Sequence, residues 1–151
     1  MVNVKEIESL KELQKIIKTA NECSFNIKID RKNVNIILET HVSKYIEGFK
    51  MDFLYKLDFT KYIIIEYFKK DCNIFLYSNA TFTSILKLLK EDDYLGINHM
   101  FKNDSHIFTD NNIHQETFFI EIINKAGKTK LIFRIDNAYS VENQTMLKYK
   151  S

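Results

Sequence analysis

Apolar residues near the start of the chain recur at three- and four-residue steps, the spacing of an amphipathic helix. They are Ile7, Leu10, Leu13, Ile17 and Ala20. The preceding run from Asn3 to Glu6 has the form of a capping box, in which the two side chains satisfy backbone N–H groups at the helix start. We therefore predict a first helix that begins directly after Asn3 and carries lysines on its outer side.

After residue 24 the period changes from 3.6 to 2, which is typical of half-buried strands. Alternating or β-rich runs predict strands over 25–29, 34–38, 49–59, 62–68 and 73–77. The polar residues between the first two runs predict a hairpin turn. A second hairpin is predicted from strands over 118–122 and 131–135, joined by a turn over 124–128 that contains a glycine.

A second helix is predicted over 80–91, with Asn79 or Thr81 as its cap. Its apolar stripe consists of Phe82, Ile85, Leu86 and Leu89. The polar stretch 94–115 has no clean period, so we predict a short strand and a mobile loop. Residues 137–151 are predicted to form a polar C-terminal tail or connector.

These elements predict one α+β domain. The chain has 151 residues, 45% of them hydrophobic, which is enough for one core but not for two. The order reads as one pattern used twice, a helix followed by antiparallel strands, with both helices on one face of the sheet system. We place this domain at 1–136 and the tail at 137–151.

Composition limits the functional classes. The chain has no proline and only three glycines, which argues against Gly-rich phosphate loops. No apolar run approaches the roughly 20 residues that cross a bilayer, and no secretory signal is visible. We therefore expect a soluble intracellular protein without membrane partners, whose cysteines, Cys23 and Cys72, are reduced thiols.

Enzymatic chemistry has little support in the sequence. The four histidines, His41, His99, His106 and His114, do not have metal-ligand spacing. Short acidic pairs and an Asp104–His106 dyad are better explained as solvated loop or strand-edge residues. We predict a non-enzyme without cofactor or metal, although an enzyme acting through the 99–114 loop stays open.

Lysines on the two predicted helices form the candidate binding site. They are Lys11, Lys15 and Lys18 on the first helix, and Lys87 and Lys90 on the second. The simplest interpretation is solvation, because 20 of the 22 basic residues are lysine and the net charge is only +2. The functional interpretation is that both outer faces together contact a phosphate backbone without reading bases.

The residues around the second helix resemble a known family. The strand 74–79 followed by Phe82-Thr83-Ser84-Ile85-Leu86-Lys87-Leu88-Leu89-Lys90 resembles the second inner helix of DNA sliding clamps of the proliferating-cell-nuclear-antigen type, where a Thr-Ser step also precedes two lysines three apart. The first helix and the strand over 21–27 are similar to the clamp's first inner helix and its strand. The segment 128–134 looks like the strand that closes the clamp domain.

The resemblance covers roughly 4–136 and implies a ring that slides on duplex DNA and tethers polymerases and other replication factors. It implies that Lys87 and Lys90 face DNA, whereas Lys11, Lys15 and Lys18 match only by belonging to the corresponding helix. A one-domain chain would need several subunits to close a ring, so we expect a homo- or hetero-oligomer, located in a nucleus or at a viral replication site. The alternative is a small protein-binding domain, inhibitory or adaptor, without DNA affinity.

Overall fold

Strands dominate the computed structural model, which describes residues 3–64, 68, 70–100, 108–109, 112–113 and 116–141. The two helices are α1 (Leu10–Lys18) and α2 (Ala80–Leu88), and a 3-10 turn spans Thr60–Tyr62. The strands are β1 (Asn3–Ile7), β2 (Glu22–Asp30), β3 (Asn35–Ile46), β4 (Phe49–Asp58), β5 (Cys72–Leu76), β6 (Tyr94–Met100), β7 (Phe108–Thr109), β8 (Asn112–Ile113), β9 (Glu116–Ile123) and β10 (Thr129–Val141).

Eight of these strands form one sheet in the order β1-β4-β3-β2-β5-β10-β9-β6, and β7 pairs with β8 separately. Neighbouring strands are antiparallel except β1 and β4, which are parallel. The first half of the chain contributes β1-β4-β3-β2 and the second contributes β5-β10-β9-β6. The halves meet where β2 pairs with β5, so the sheet is continuous across the middle of the chain.

The predicted α+β fold of two helix-plus-strands units forming a sliding-clamp-like domain is wrong. The described residues contain ten strands and only two α-helices of nine residues each. A mainly β fold with one eight-stranded and one two-stranded sheet replaces the predicted arrangement. Several polar segments were not expected to be strands: β3 continues through residues 39–46, and β10 continues through residues 137–141 of the predicted tail. Backbone hydrogen bonds between neighbouring strands stabilise such segments as strands even where apolar and polar residues do not alternate.

The first helix begins later than predicted. Asn3–Ile7 is strand β1, which pairs in parallel with residues 53–57 of β4, so Asn3 and Glu6 do not form a capping box. The N-cap is Ser9, whose Oγ accepts a hydrogen bond from the Glu12 N–H at 3.1 Å. Pairing along a whole strand outweighed the local capping preference.

The other predicted elements differ mainly in their bounds. The strands over 25–29, 49–59, 73–77, 118–122 and 131–135 are confirmed, and so is the second helix, which Asn79 caps and which ends at Leu88. The strand predicted over 62–68 is wrong at its start, where Tyr62 ends the 3-10 turn and Ile63 forms only an isolated bridge. Most of the predicted mobile loop after Met100 lies outside the described residues.

Both helices pack on the same face of the sheet. Leu10, Leu13 and Ile17 of α1 are buried in the same core as the apolar stripe of α2. The ring of Phe82 meets the ring of Phe25 on β2 edge to face, with centroids 4.9 Å apart. Alternation along β2 then directs Asn26 and Lys28 to the opposite face. The core therefore lies between the two helices and one side of the sheet.

A side-chain hydrogen-bond pair joins the two helices. The Gln14 Nε2 group on α1 donates to the backbone carbonyls of Leu86 at 2.9 Å and of Leu89 at 2.8 Å. Leu86 lies in the last turn of α2 and Leu89 is its C-cap residue, where no further helical N–H groups are available. Gln14 therefore caps α2 from α1 and holds the two helices side by side.

Replacing Gln14 with Met tests this contact. Met keeps the length of the side chain but cannot donate, so the free energy of unfolding should fall by about 1–3 kcal/mol because two partly buried carbonyls lose their donors. Urea unfolding of Gln14→Met and of the exposed control Ser84→Ala measures the difference, and the control should stay within about 0.5 kcal/mol of the wild type. A Gln14→Met variant as stable as the wild type contradicts the capping role.

Candidate functional site

The predicted lysine site lies on the outer sides of two neighbouring helices. Lys11, Lys15 and Lys18 are exposed on α1, opposite its buried residues. Lys87 is exposed in the last turn of α2, and Lys90 is exposed two residues after that helix ends. Because Gln14 joins α1 to α2, the structure brings the two lysine-bearing helices together on one face of the sheet.

These five lysines have no carboxylate partner within ion-pair distance among the residues that the structure describes. Lys87 also affects a neighbour on β2. Burial raises the pKa of the Cys23 thiol, and the positive charge of Lys87 partly opposes that rise. The charge of Lys87 therefore acts on the Cys23 thiol at the start of β2.

A buried acidic residue anchors the segment around Lys90. The Asp93 carboxylate is buried, accepts the Lys90 backbone N–H at 3.0 Å and pairs with the Lys130 ammonium at 3.1 Å. Lys130 comes from β10, so this contact ties the chain after α2 to the sheet. The short acidic pair Asp92–Asp93 is predicted from the sequence to be solvated, but Asp93 is buried and has a structural role.

The opposite sheet face carries a polar row that sequence reasoning missed. Directly paired positions run across five strands from β4 to β10, in the order Lys56, Glu39, Asn26, Phe75 and Tyr139. Glu39 accepts the Asn26 Nδ2–H at 3.3 Å and forms ion pairs with Lys28 at 3.3 Å and Lys56 at 3.6 Å. Asn26 and Glu39 are each 7% exposed, so the centre of this network is buried although no described helix covers it, whereas the side chains of Lys28 and Lys56 are 50% and 40% exposed.

The register of the first hairpin places Asn26 opposite Glu39. This register is the sequence signal from which the pair could have been predicted. The turn between β2 and β3 pairs Asp30 with Asn35, and counting back from that pair gives Asn26 and Glu39. Two polar residues facing each other at the centre of a hairpin indicate a cross-strand hydrogen bond. Their burial could not be predicted, because side chains from β4 and β5 contribute to it.

Aromatic rings continue this row. The ring of Phe75 stacks on Tyr139 at 5.0 Å and on Tyr77 at 6.0 Å, and the Tyr77 and Tyr139 hydroxyls lie 2.7 Å apart. Burial raises the pKa of Tyr139, and the hydrogen bond with Tyr77 raises it further. The Tyr139 phenol therefore stays neutral well above the pH at which an ordinary tyrosine ionises.

Several exposed apolar side chains lie at the tip of the β3–β4 hairpin. Glu47 and Gly48 both have positive φ angles, 51° and 83°, as a two-residue type I′ turn requires. Phe49 is 72% exposed, and its paired neighbour Ile46 is 51% exposed. Large exposed apolar side chains clustered in this way mark interaction sites more often than solitary ones do.

The described residues contain no metal-binding cluster. No group of three or more His, Cys, Asp or Glu side chains that could hold a metal ion occurs there. His41 is exposed on β3, Asp52 accepts a hydrogen bond from Ser43, and Asp58 accepts from Thr60. Asp104, His106 and His114 lie outside the described residues.

Alkaline unfolding tests the environment of Tyr139. Because its pKa is raised in the folded protein, the neutral phenol stabilises the fold below about pH 10, and this contribution is lost as pH rises further. We expect the free energy of unfolding of the wild type to fall more steeply above about pH 10 than that of Tyr139→Phe. The exposed control Tyr45→Phe should keep the wild-type slope, and equal slopes for all three proteins contradict the assignment.

Comparisons with known proteins do not assign this chain to a family. Within the described residues, no helix is both long and apolar enough to cross a membrane. Family models, curated proteins and solved structures give no match to this chain, so nothing in these comparisons identifies a sliding clamp.

Proposed function

We propose that this chain is a non-enzymatic DNA-binding protein that contacts duplex phosphates through lysines on α1 and at the end of α2. One observation carries the proposal: Gln14 holds two lysine-bearing helices side by side on one face of the sheet. The four helix lysines and Lys90, just after α2, also have no carboxylate partners among the described residues, so their charges are available to a phosphate backbone.

Phosphate contact of this kind does not depend on base sequence. Lysine ammonium groups bind phosphates as point charges and release counterions, so affinity falls as salt rises. A surface with a few such contacts retains mobility along the duplex, because neighbouring phosphates are equivalent. The proposal includes neither a ring nor a clamp-type domain, since the mainly β fold does not match that prediction.

Charge reversal on α2 tests the proposal. The double variant Lys87→Glu/Lys90→Glu should bind a fluorescent duplex at least about tenfold more weakly at low salt, and should lower the salt dependence of log K by about two phosphate contacts. Thermal stability should stay close to that of the wild type, because both lysines are exposed. Fluorescence anisotropy at several salt concentrations measures both quantities.

The matched control is Lys125→Glu/Lys128→Glu, which makes the same charge change in the exposed β9–β10 turn. This control should lose much less affinity than the α2 variant. Equal loss in both variants would show that only net charge matters. Unchanged binding in the α2 variant, or no binding by the wild type at low salt, overturns the proposal.

The hairpin tip favours a second candidate function, a protein-interaction domain that acts through self-association. Ile46, Phe49 and Met51 share one face of the hairpin with Lys44, and Glu47 lies in the turn. In a two-fold symmetric dimer, the turn of one hairpin would pack against the base of the other. Glu47 of one copy would then approach Lys44 of the second copy. We therefore propose a second copy of this chain as the occupant of the apolar tip.

Sedimentation velocity tests self-association. A concentration series over about 1–100 µM should show a monomer–dimer equilibrium, and Phe49→Thr should weaken it at least about tenfold because a central aromatic contact is lost. Tyr45→Thr is the control, since Tyr45 lies on the other face of the same hairpin. A monomer at all concentrations, or equal weakening by both variants, rejects this candidate. Duplex binding by Phe49→Thr at wild-type affinity would separate this function from DNA binding.

A further inference from the structure

Two tyrosine hydroxyls meet on the sheet face that is opposite the helices. Tyr77 directly follows β5, and Tyr139 lies on the neighbouring strand β10, where it pairs with Phe75. The two hydroxyl oxygens are 2.7 Å apart, and the ring centroids are 5.6 Å apart with planes inclined by 34°. Within the part of the chain that the structure describes, no other ring contact joins two tyrosines.

The ring of Phe75 holds both phenols in this geometry. It stacks on Tyr139 with centroids 5.0 Å apart and on Tyr77 with centroids 6.0 Å apart. The backbone pairing of β5 with β10 fixes the strands that carry the rings. Because three rings in mutual contact have little freedom to turn, the two phenols stay side by side. The pair is therefore preorganised for a reaction between its own rings.

A hydrogen-bonded pair of phenols is arranged for oxidative coupling. A phenol that loses one electron and its hydroxyl proton becomes a phenoxyl radical, whose unpaired electron is shared with the ring carbons next to the C–O bond. When two such carbons form a bond, the product is a biphenol whose two oxygens lie side by side. The hydroxyl oxygens of Tyr77 and Tyr139 already lie side by side, at 2.7 Å.

The pair is open to an oxidant from one side. Tyr77 is 55% exposed, and Tyr139 is half-buried beside it. Tyr45 is exposed to a similar extent, 53%, but it lies on β3 and makes no aromatic contact with any described residue. Exposure alone therefore does not distinguish Tyr77 from Tyr45, whereas the adjacent phenol does.

We propose that Tyr77 and Tyr139 are a modification site at which hydrogen peroxide, used by a haem peroxidase, couples the two phenols into a covalent cross-link. Each hydroxyl gives up one electron and one proton. The two radicals form a bond between ring carbons next to their oxygens, and the hydrogens on those carbons move to the oxygens. The two electrons and two protons reduce one hydrogen peroxide to two water molecules.

The product is a tyrosine–tyrosine link between the end of β5 and β10. This site goes beyond the proposed duplex contact and does not depend on it, since it lies on the opposite face of the sheet from the helices that carry the lysines.

Treatment of the protein at low micromolar concentration with hydrogen peroxide and a haem peroxidase tests the site. After any disulfides are reduced, the intact mass should be lower by two hydrogen atoms, and the fluorescence of coupled phenols should appear. Trypsin should release residues 71–87 linked to residues 135–148, each of which contains one tyrosine. Covalent dimers without this product, a link that maps to other tyrosines, or an unchanged mass overturns the proposal.

Tyr77→Phe and Tyr139→Phe test which hydroxyls are needed. Each variant keeps its ring in the stack but lacks one phenol, so the yield of the intramolecular product should fall at least about tenfold. Tyr45→Phe is the matched control, because Tyr45 is as exposed as Tyr77, and it should react like the wild type. Equal yields from the control and the two variants contradict the assignment. Peptide mapping on the wild type decides the question even if a variant does not fold.

The cross-link should also stabilise the fold. It joins positions 62 residues apart, which restricts the unfolded chain as a disulfide does. The Tm of the coupled protein should rise by roughly 5–15 °C, and treated Tyr77→Phe should show no such rise. Equal Tm values for coupled and untreated wild type contradict a link between the two strands.

The Lys87→Glu/Lys90→Glu variant separates this proposal from the proposed function. It should couple with the wild-type yield, because both lysines are on the other face of the sheet. Loss of duplex binding in that variant with coupling retained supports both proposals, whereas loss of coupling in it overturns the independence of the tyrosine site.

Discussion

The antiparallel pairing of β2 with β5 is the contact on which the rest of the structure depends. It joins the two halves of the chain into one sheet and places Phe25 and Ile27 next to Leu76 and Ile74 in the core. Complete burial of such side chains contributes about 1.5–3 kcal/mol each. Because Phe25 also contacts Phe82 of α2, the same junction determines where that helix lies, and Gln14 then fixes α1 beside it.

Two sheet faces of different chemistry follow from this arrangement. The side chains of β2 alternate, so the residues that build the core under the helices are interleaved with those of the polar row. Phe25 and Asn26 are neighbours in sequence, but one contacts α2 and the other hydrogen bonds to Glu39. A lysine surface on the helices and the polar row on the other face therefore depend on the same central strand.

The sequence predicted the parts of the fold that depend on local pattern. The apolar stripe of α2 and its Asn79 cap, the alternation in β4, and the glycine turn between β9 and β10 are local signals, and these elements form where predicted. The α+β clamp-like fold failed because its evidence was also local. The strand at Asn3–Ile7 exists through pairing with β4, which is about 50 residues away.

The candidate sites show the same difference between features set by local sequence and features set by long-range strand pairing. The helix lysines could be located from periodicity, and the structure adds that α1 and α2 are neighbours. The burial of Asn26 and Glu39 could not be read from their own segments, because Lys56 and the aromatic rings around them come from other strands. The sequence pattern therefore predicted which side of each single element is apolar. The strand order was needed to show which residues from different elements lie together.

The most direct test of this account is an NMR titration of the labelled protein with duplex DNA at low salt. Perturbed backbone amide signals should cluster at residues 11–18 of α1 and 87–90 at the end of α2, with those of Asn26 and Glu39 unchanged. Perturbations centred on the polar row or on the hairpin tip, or no perturbation at any DNA concentration, would contradict the claim that the two-helix face is the duplex-binding surface.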